Sequence, residues 1–142
     1  MDDFSLVIPY RVRVADVNYG GHVANSAVLN FFQDARIAYL AALGDYSELE
    51  IGDGCGMILP EAQLFYRAEM FLNDDLQIGV KVQELRRSAL VMAYRIERDG
   101  VVTAEGTTNL VAFDYGKRKP SRLPVSFREA VEAFEGEGVP SA

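Results

Sequence analysis

From Ser26 to about Leu43 apolar residues recur at helical spacing. Val28, Phe31, Phe32, Ala35, Tyr39 and Ala42 form a stripe, and Leu29, Ile37, Ala38 and Leu40 widen it over most of the circumference. A helix this apolar is expected to be nearly all buried, so the rest of the chain must enclose it. Asn25 or Ser26 is the expected N-cap, and Gly44 sits where a glycine would end the helix.

On both sides of this helix the period falls to two, the signature of strands. Phe4 to Val14 alternates loosely with Pro9 inside it, which predicts a broken or edge strand. Residues 45–56 read as a glycine-rich loop with a short helical turn near Tyr46 to Leu49. Ile58 to Met70 then places Ala62, Leu64, Tyr66, Ala68 and Met70 on one face and Glu61, Gln63, Phe65, Arg67 and Glu69 on the other. Leu76 to Gln83, Ala89 to Glu97 and Val101 to Phe113 follow, and Asp99-Gly100 between the last two is a type I′ hairpin signal. Short connections make antiparallel neighbours. The expected architecture is α+β, an antiparallel five-stranded sheet wrapped around one long central helix, with a short amphipathic helix from Phe127 to Phe134 ended by Gly136 and Gly138. The tail from Glu135 is expected to fray.

The 142 residues fit one domain, 1–142, since about 100–200 residues is the usual domain size. A net charge of −7 argues against a general nucleic-acid binder, which needs a basic face. The acidic start Met1-Asp2-Asp3-Phe4 lacks a signal peptide's positive region, and no apolar run is long enough for a membrane helix, so a cytoplasmic protein with no membrane partner is expected. The single cysteine, Cys55, agrees with a reducing compartment and has no neighbour to activate it. One histidine and one cysteine do not make the usual zinc ligand sets, so no metal is expected. There is no G-x-S-x-G elbow, and the glycines of Gly52 to Gly56 have the wrong spacing and context for a dinucleotide loop.

Polar chemistry is densest in Asp16-Val17-Asn18-Tyr19-Gly20-Gly21-His22-Val23-Ala24-Asn25, immediately before the helix. Asp16 and Asn18 suffice as turn-formers, with His22 a satisfied polar residue. The same stretch also reads as an active-site loop. Its adjacent glycines allow close approach of a substrate to the backbone, and the unpaired N–H groups of the first helical turn suit a polarised carbonyl oxygen.

Four segments then carry a resemblance. Arg11-Val12-Arg13 leads into the loop, Phe31-Phe32-Gln33-Asp34-Ala35-Arg36 lies on the helix, Glu61-Ala62-Gln63-Leu64-Phe65-Tyr66-Arg67 opens a strand, and Phe113-Asp114-Tyr115 precedes a basic turn. In order and spacing the chain resembles the 4-hydroxybenzoyl-CoA thioesterase branch of the hotdog-fold acyl-CoA thioesterases. The resemblance implies hydrolysis of a fatty or aromatic acyl-CoA without metal or organic cofactor, coenzyme A belonging to the substrate. It also implies a homodimer or dimer of dimers with sites between subunits, which a sheet with exposed edges independently favours.

Family members usually carry an aspartate, as general base or nucleophile, four residues before the position of His22; here that residue is Asn18. An amide takes up no proton, so Asn18 is expected to position water or the thioester carbonyl. Asp16 is then the nearer carboxylate, His22 supports, and the amide around Asn25 holds the carbonyl; Asp34 and Glu61 are more distant candidates. Tyr19 and Gly21 are expected to contact substrate. The missing aspartate also admits a non-catalytic acyl-CoA or acyl-carrier-binding module. The basic residues Arg86, Arg87, Lys117, Arg118, Lys119 and Arg122 read either as solvated turns or as a clamp for coenzyme A phosphates, with Arg87, Lys117, Arg118 and Lys119 the expected contacts.

Overall fold

The computed structural model describes residues 1–136 and 139. Strand β1 (Leu6–Arg11) leads through the polar loop to helix α1 (Asn25–Leu43), followed by β2 (Cys55–Tyr66), β3 (Asp75–Leu85), β4 (Ala89–Arg98) and β5 (Val101–Asp114). A two-residue β6 (Lys119–Pro120) and helix α2 (Val125–Glu135) close the described chain. The strands form one antiparallel sheet in the order β1-β3-β4-β5-β2, with β6 beside the end of β5. The sheet therefore has six strands where five are expected, because the basic turn after β5 folds back far enough to pair twice.

One face of the sheet is the core. Ile78, Val80 and Val82 on β3 stand opposite Ile96, Tyr94 and Met92 on β4, and all are buried beneath α1. Across on β5 the residue facing Tyr94 is Gly106. A Cβ there would stand 2.3 Å from the Gln63 carbonyl oxygen and 2.9 Å from Phe32, so glycine is what lets the helix approach. Phe32 uses the space to stack on Tyr94 at 4.5 Å between ring centroids. At the β4–β5 turn both Asp99 (φ 51°) and Gly100 (φ 79°) are left-handed, as the type I′ signal requires.

Several expectations are corrected. Helix α1 is buried along one face only: Leu29 and Ile37 are 37% and 52% exposed, and Ala42 is exposed as well. A single sheet covers a single side. The N-cap is Ala24 and makes no side-chain cap bond, so neither Asn25 nor Ser26 caps the helix. Residues 46–49 form no helical turn; Ser47 and Glu50 pair as an isolated bridge. Strand β2 stops at Tyr66, short of Met70, and bulges between Ile58 and Glu61, where Pro60 supplies no N–H. Glu135 does not fray, because its carboxylate accepts from Tyr39 Oη (2.5 Å), Ser5 Oγ (2.8 Å) and the Val82 N–H (2.9 Å). Gly136 is the C-cap of α2, and Gly138 lies outside the described residues.

Candidate active site

The loop before α1 is closed by its own backbone. Ala24 donates to the Asp16 carbonyl (2.9 Å), Asn18 to that of His22 (2.8 Å), and Gly21 to that of Asn18 (3.0 Å), which makes residues 18–21 a turn. Gly21 takes φ +86°, open to glycine at little cost. Asn18 Oδ1 accepts the Gly20 N–H at 3.0 Å, so its amide NH₂ is the end left to donate. Val23 donates to the Met70 carbonyl at 2.8 Å and His22 bridges Phe71, which fixes the loop against the segment after β2.

These contacts gather Asn18, His22 and Asn25 at the rim of a hollow of about 400 Å³, together with Tyr66, Arg67 and Glu69. Val23, Val28 and Met70 make its apolar floor and are buried. Tyr66 Oη donates to the Asn25 carbonyl at 3.1 Å and so joins the end of β2 to the start of α1. The N–H groups of Asn25 and Ser26 have no acceptor among the described residues, as expected for the first turn of a helix without a side-chain cap. The hollow thus offers unpaired backbone donors, an amide donor and an imidazole above an apolar base. Such a set can hold a developing oxyanion and orient a water. A larger hollow of about 570 Å³ opens beside Tyr10, Asp75 and Glu97, but no residue of the loop after Val14 reaches it.

Other expected site residues lie elsewhere. Asp16 does not line the hollow; its Oδ2 accepts from Tyr10 Oη (2.6 Å) and the Arg13 N–H (2.9 Å). Burial, reinforced by that bond to Asp16, pushes the Tyr10 hydroxyl up to about 12, so it stays a donor through the neutral range. Tyr19, at the tip of the turn, is fully exposed and Gly21 is exposed beside it; neither lines the hollow. Glu61 Oε1 accepts from Asn109 Nδ2 at 3.0 Å, and Asp34 is exposed on the helix.

Arg87, Lys117, Arg118 and Lys119 are exposed and have no ion-pair partner among the described residues, whereas Arg86 is held by Glu84 at 2.9 Å. These basic turns stand at the opposite end of the sheet from the hollow of the same chain. The hollow adjoins Tyr66, which pairs with Ala104, and the turn follows Asp114. Ten residues of β5 at a rise of about 3.3 Å make that separation ~33 Å.

Sequence reasoning missed Glu69. Its carboxylate Oε1 lies 3.1 Å from His22 Nδ1. Alternation placed it on the strand face opposite Met70, but the strand ends at Tyr66, and beyond that point period two no longer sets direction.

The family model of the thioesterase-like superfamily matches residues 12–131, a span that runs from the approach to the loop through most of α2. The chain belongs to the thioesterase-like superfamily. Among relatives of this superfamily member, it is 26% identical over 119 residues to the acyl-CoA thioester hydrolase YbgC of Escherichia coli, covering 83% of this chain and 89% of that one. A thioesterase from Thermus thermophilus, solved in complex with coenzyme A and zinc, superposes with a TM-score of 0.87 at 28% identity. That match covers 98% of this chain and all of the other. A 1,4-dihydroxy-2-naphthoyl-CoA thioesterase from Synechocystis superposes with a TM-score of 0.80 at 20% identity, over 88% and 93% of the two chains, which is a likeness of fold. The antiparallel sheet with its long helix is consistent with the hotdog fold of such thioesterases.

Proposed function

We propose that this superfamily member is an acyl-CoA thioesterase that hydrolyses a fatty or aromatic acyl-CoA thioester to the free acid and coenzyme A. The observation that carries the reading is the uncapped start of α1 facing the same hollow as Asn18 and His22. There the thioester carbonyl takes the N–H groups around Asn25, Asn18 donates its amide NH₂, and the acyl group lies over Val23, Val28 and Met70. We read the site as needing no resident metal or organic cofactor. The E. coli and Thermus relatives support the substrate class.

The functional unit in this reading is a pair of copies joined along β2. That twelve-residue strand is an edge, and Ile58, Phe65 and Tyr66 on it are 39%, 42% and 49% exposed. A long apolar edge left open is a liability that a second strand removes. In a two-fold pair the two β2 strands run antiparallel, so the Tyr66 end of one copy meets the Cys55 end of the other. Cys55 and Gly56 pair with Asp114 and Phe113, so the second copy's basic turn comes beside the first copy's hollow. Lys117, Arg118 and Lys119 of that copy then face the phosphate end of coenzyme A.

A panel of aliphatic and aromatic acyl-CoAs, assayed for release of free thiol, tests the reading. Turnover of at least one member is expected. Tight binding with no thiol released across the panel would instead make the chain an acyl-CoA-binding module, the reading that Asn18 in place of a carboxylate favours.

A further inference from the structure

We infer that Glu69 orients and polarises His22, and that this pair supplies the proton acceptor that the loop lacks at Asn18. The inference rests on the thioesterase reading and adds to it a specific acid–base group. Of the described residues that line the hollow, Glu69 alone is a carboxylate. Asp16 is taken up by Tyr10 and Arg13, and Glu61 by Asn109.

The pair is built from the backbone outward. His22 is held by the Asn18 N–H on its carbonyl and by its bridge to Phe71, whose ring lies 5.8 Å from the imidazole at an interplanar angle of 26°. The carbonyl of Glu69 accepts from the Arg98 guanidinium, which also reaches Asp74 Oδ2 at 3.2 Å. Both side chains therefore start from fixed points. Glu69 Oε1 and His22 Nδ1 stand 3.1 Å apart, so a small rotation of either exposed side chain makes a hydrogen bond. In that arrangement the carboxylate can only accept, which puts the proton of a neutral imidazole on Nδ1 and the lone pair on Nε2. The Cδ2–Nε2 edge of the ring faces Gly20: a Cβ on that glycine would stand 3.2 Å from Cδ2, 3.4 Å from Nε2 and 3.4 Å from Asn18 Oδ1. Glycine leaves the space between the lone pair and the amide open. The side chains of His22 and Glu69 are 40% and 64% exposed, so water has access and the pair adds little to stability.

The chemistry then balances. Nε2 takes a proton from water as the water oxygen bonds to the thioester carbon, while the carbonyl oxygen becomes an oxyanion held by the Asn25 region and Asn18. Collapse of that intermediate breaks the carbon–sulfur bond. The imidazolium returns its proton to the departing thiolate, and the free acid ionises to solvent. Besides Glu69, the charged groups near the imidazole are Arg67 on the rim of the hollow and Arg98 beneath Glu69.

His22 is the only histidine, so long-range proton–nitrogen NMR reads its tautomer without ambiguity. The wild type is expected to show the Nδ1–H tautomer. Glu69→Ala should lower the share of that tautomer, since an imidazole without a partner on Nδ1 favours the proton on Nε2. In parallel, Glu69→Gln should lower kcat about tenfold with KM held, and His22→Ala about a hundredfold, the low end for general acid–base catalysis. An Nε2–H tautomer in the wild type, or a tautomer ratio unmoved in Glu69→Ala, overturns the pairing. Wild-type turnover matched by Glu69→Gln overturns the role of Glu69 and leaves the thioesterase reading standing; absence of turnover in the wild type overturns both.

Discussion

Asn18 lines the hollow and holds its turn through an oxygen that accepts the Gly20 N–H, which leaves its nitrogen as the end free to donate. Aspartate in its place keeps the acceptor and so keeps the turn, while alanine removes both the turn bond and the donor. We therefore expect Asn18→Ala to lower kcat by at least about tenfold, a margin below the usual value of an oxyanion-hole donor, with unchanged circular dichroism. Asn18→Asp should retain or raise kcat, since it adds a carboxylate that can accept the water proton directly. Steady-state kinetics on the two variants checks this, and full activity in Asn18→Ala would move the chemistry out of the loop. The loop was legible in the sequence as a place because its residue types are dense and local. The division of labour within it was not: Asp16 and Asn18 are two residues apart, yet the first turns to Tyr10 and the second to Gly20.

At the scale of elements, α1 is fastened to the sheet by more than apolar contact. Arg36, 4% exposed, gives its Nε to Glu48 Oε1 at 2.5 Å and its Nη1 to Tyr94 Oη at 3.0 Å, and Tyr94 Oη also meets Thr108 Oγ1 at 2.7 Å. Burial works against the Arg36 charge, but Tyr94 and Glu48 outweigh it, so the guanidinium is held more firmly protonated than usual. Removing one partner of a buried pair leaves the other charge uncompensated, so Glu48→Ala should cost about 3 kcal/mol by urea unfolding at fixed protein concentration. The open Arg11–Asp75 pair is the control: Asp75→Ala should move the midpoint little. Equal effects of the two variants would show that the Arg36 network is not a clamp. Nothing in the helical stripe marks Arg36 as buried, because the acceptors that make its burial tolerable come from a loop and from β4.

At the scale of the whole molecule, the proposed pair of copies puts the hollow of one chain and the basic turn of the other into a single site. Light scattering is expected to give a multiple of the 15.7 kDa chain, and a clean monomer at micromolar concentration would remove the shared site. A sharper test mixes two variants, Asn18→Ala and a chain with Lys117, Arg118 and Lys119 all changed to Gln. Each mixed dimer would combine one intact loop with one intact basic turn. Random assortment should therefore recover roughly a quarter of wild-type activity, given two-fold symmetry. No recovery on mixing, with exchange of chains verified, would place the basic turns outside the site.

What the sequence by itself determined is the part governed by neighbours along the chain. The strand periods of β3, β4 and β5, the left-handed Asp99-Gly100 turn, the long helix with its glycine stop and the amphipathic α2 all depend on residues within a few positions of one another. Edge placement of β1 also followed locally, since Pro9 cannot donate to a second neighbour. Tertiary structure decided everything that needs two distant segments. It set which side of α1 is covered, paired His22 with Glu69 and Arg36 with Glu48 and Tyr94, and put the basic turns at the far end of the sheet from their own loop. Strand order and register set those distances, and they emerge only when the apolar faces of all the elements are buried together.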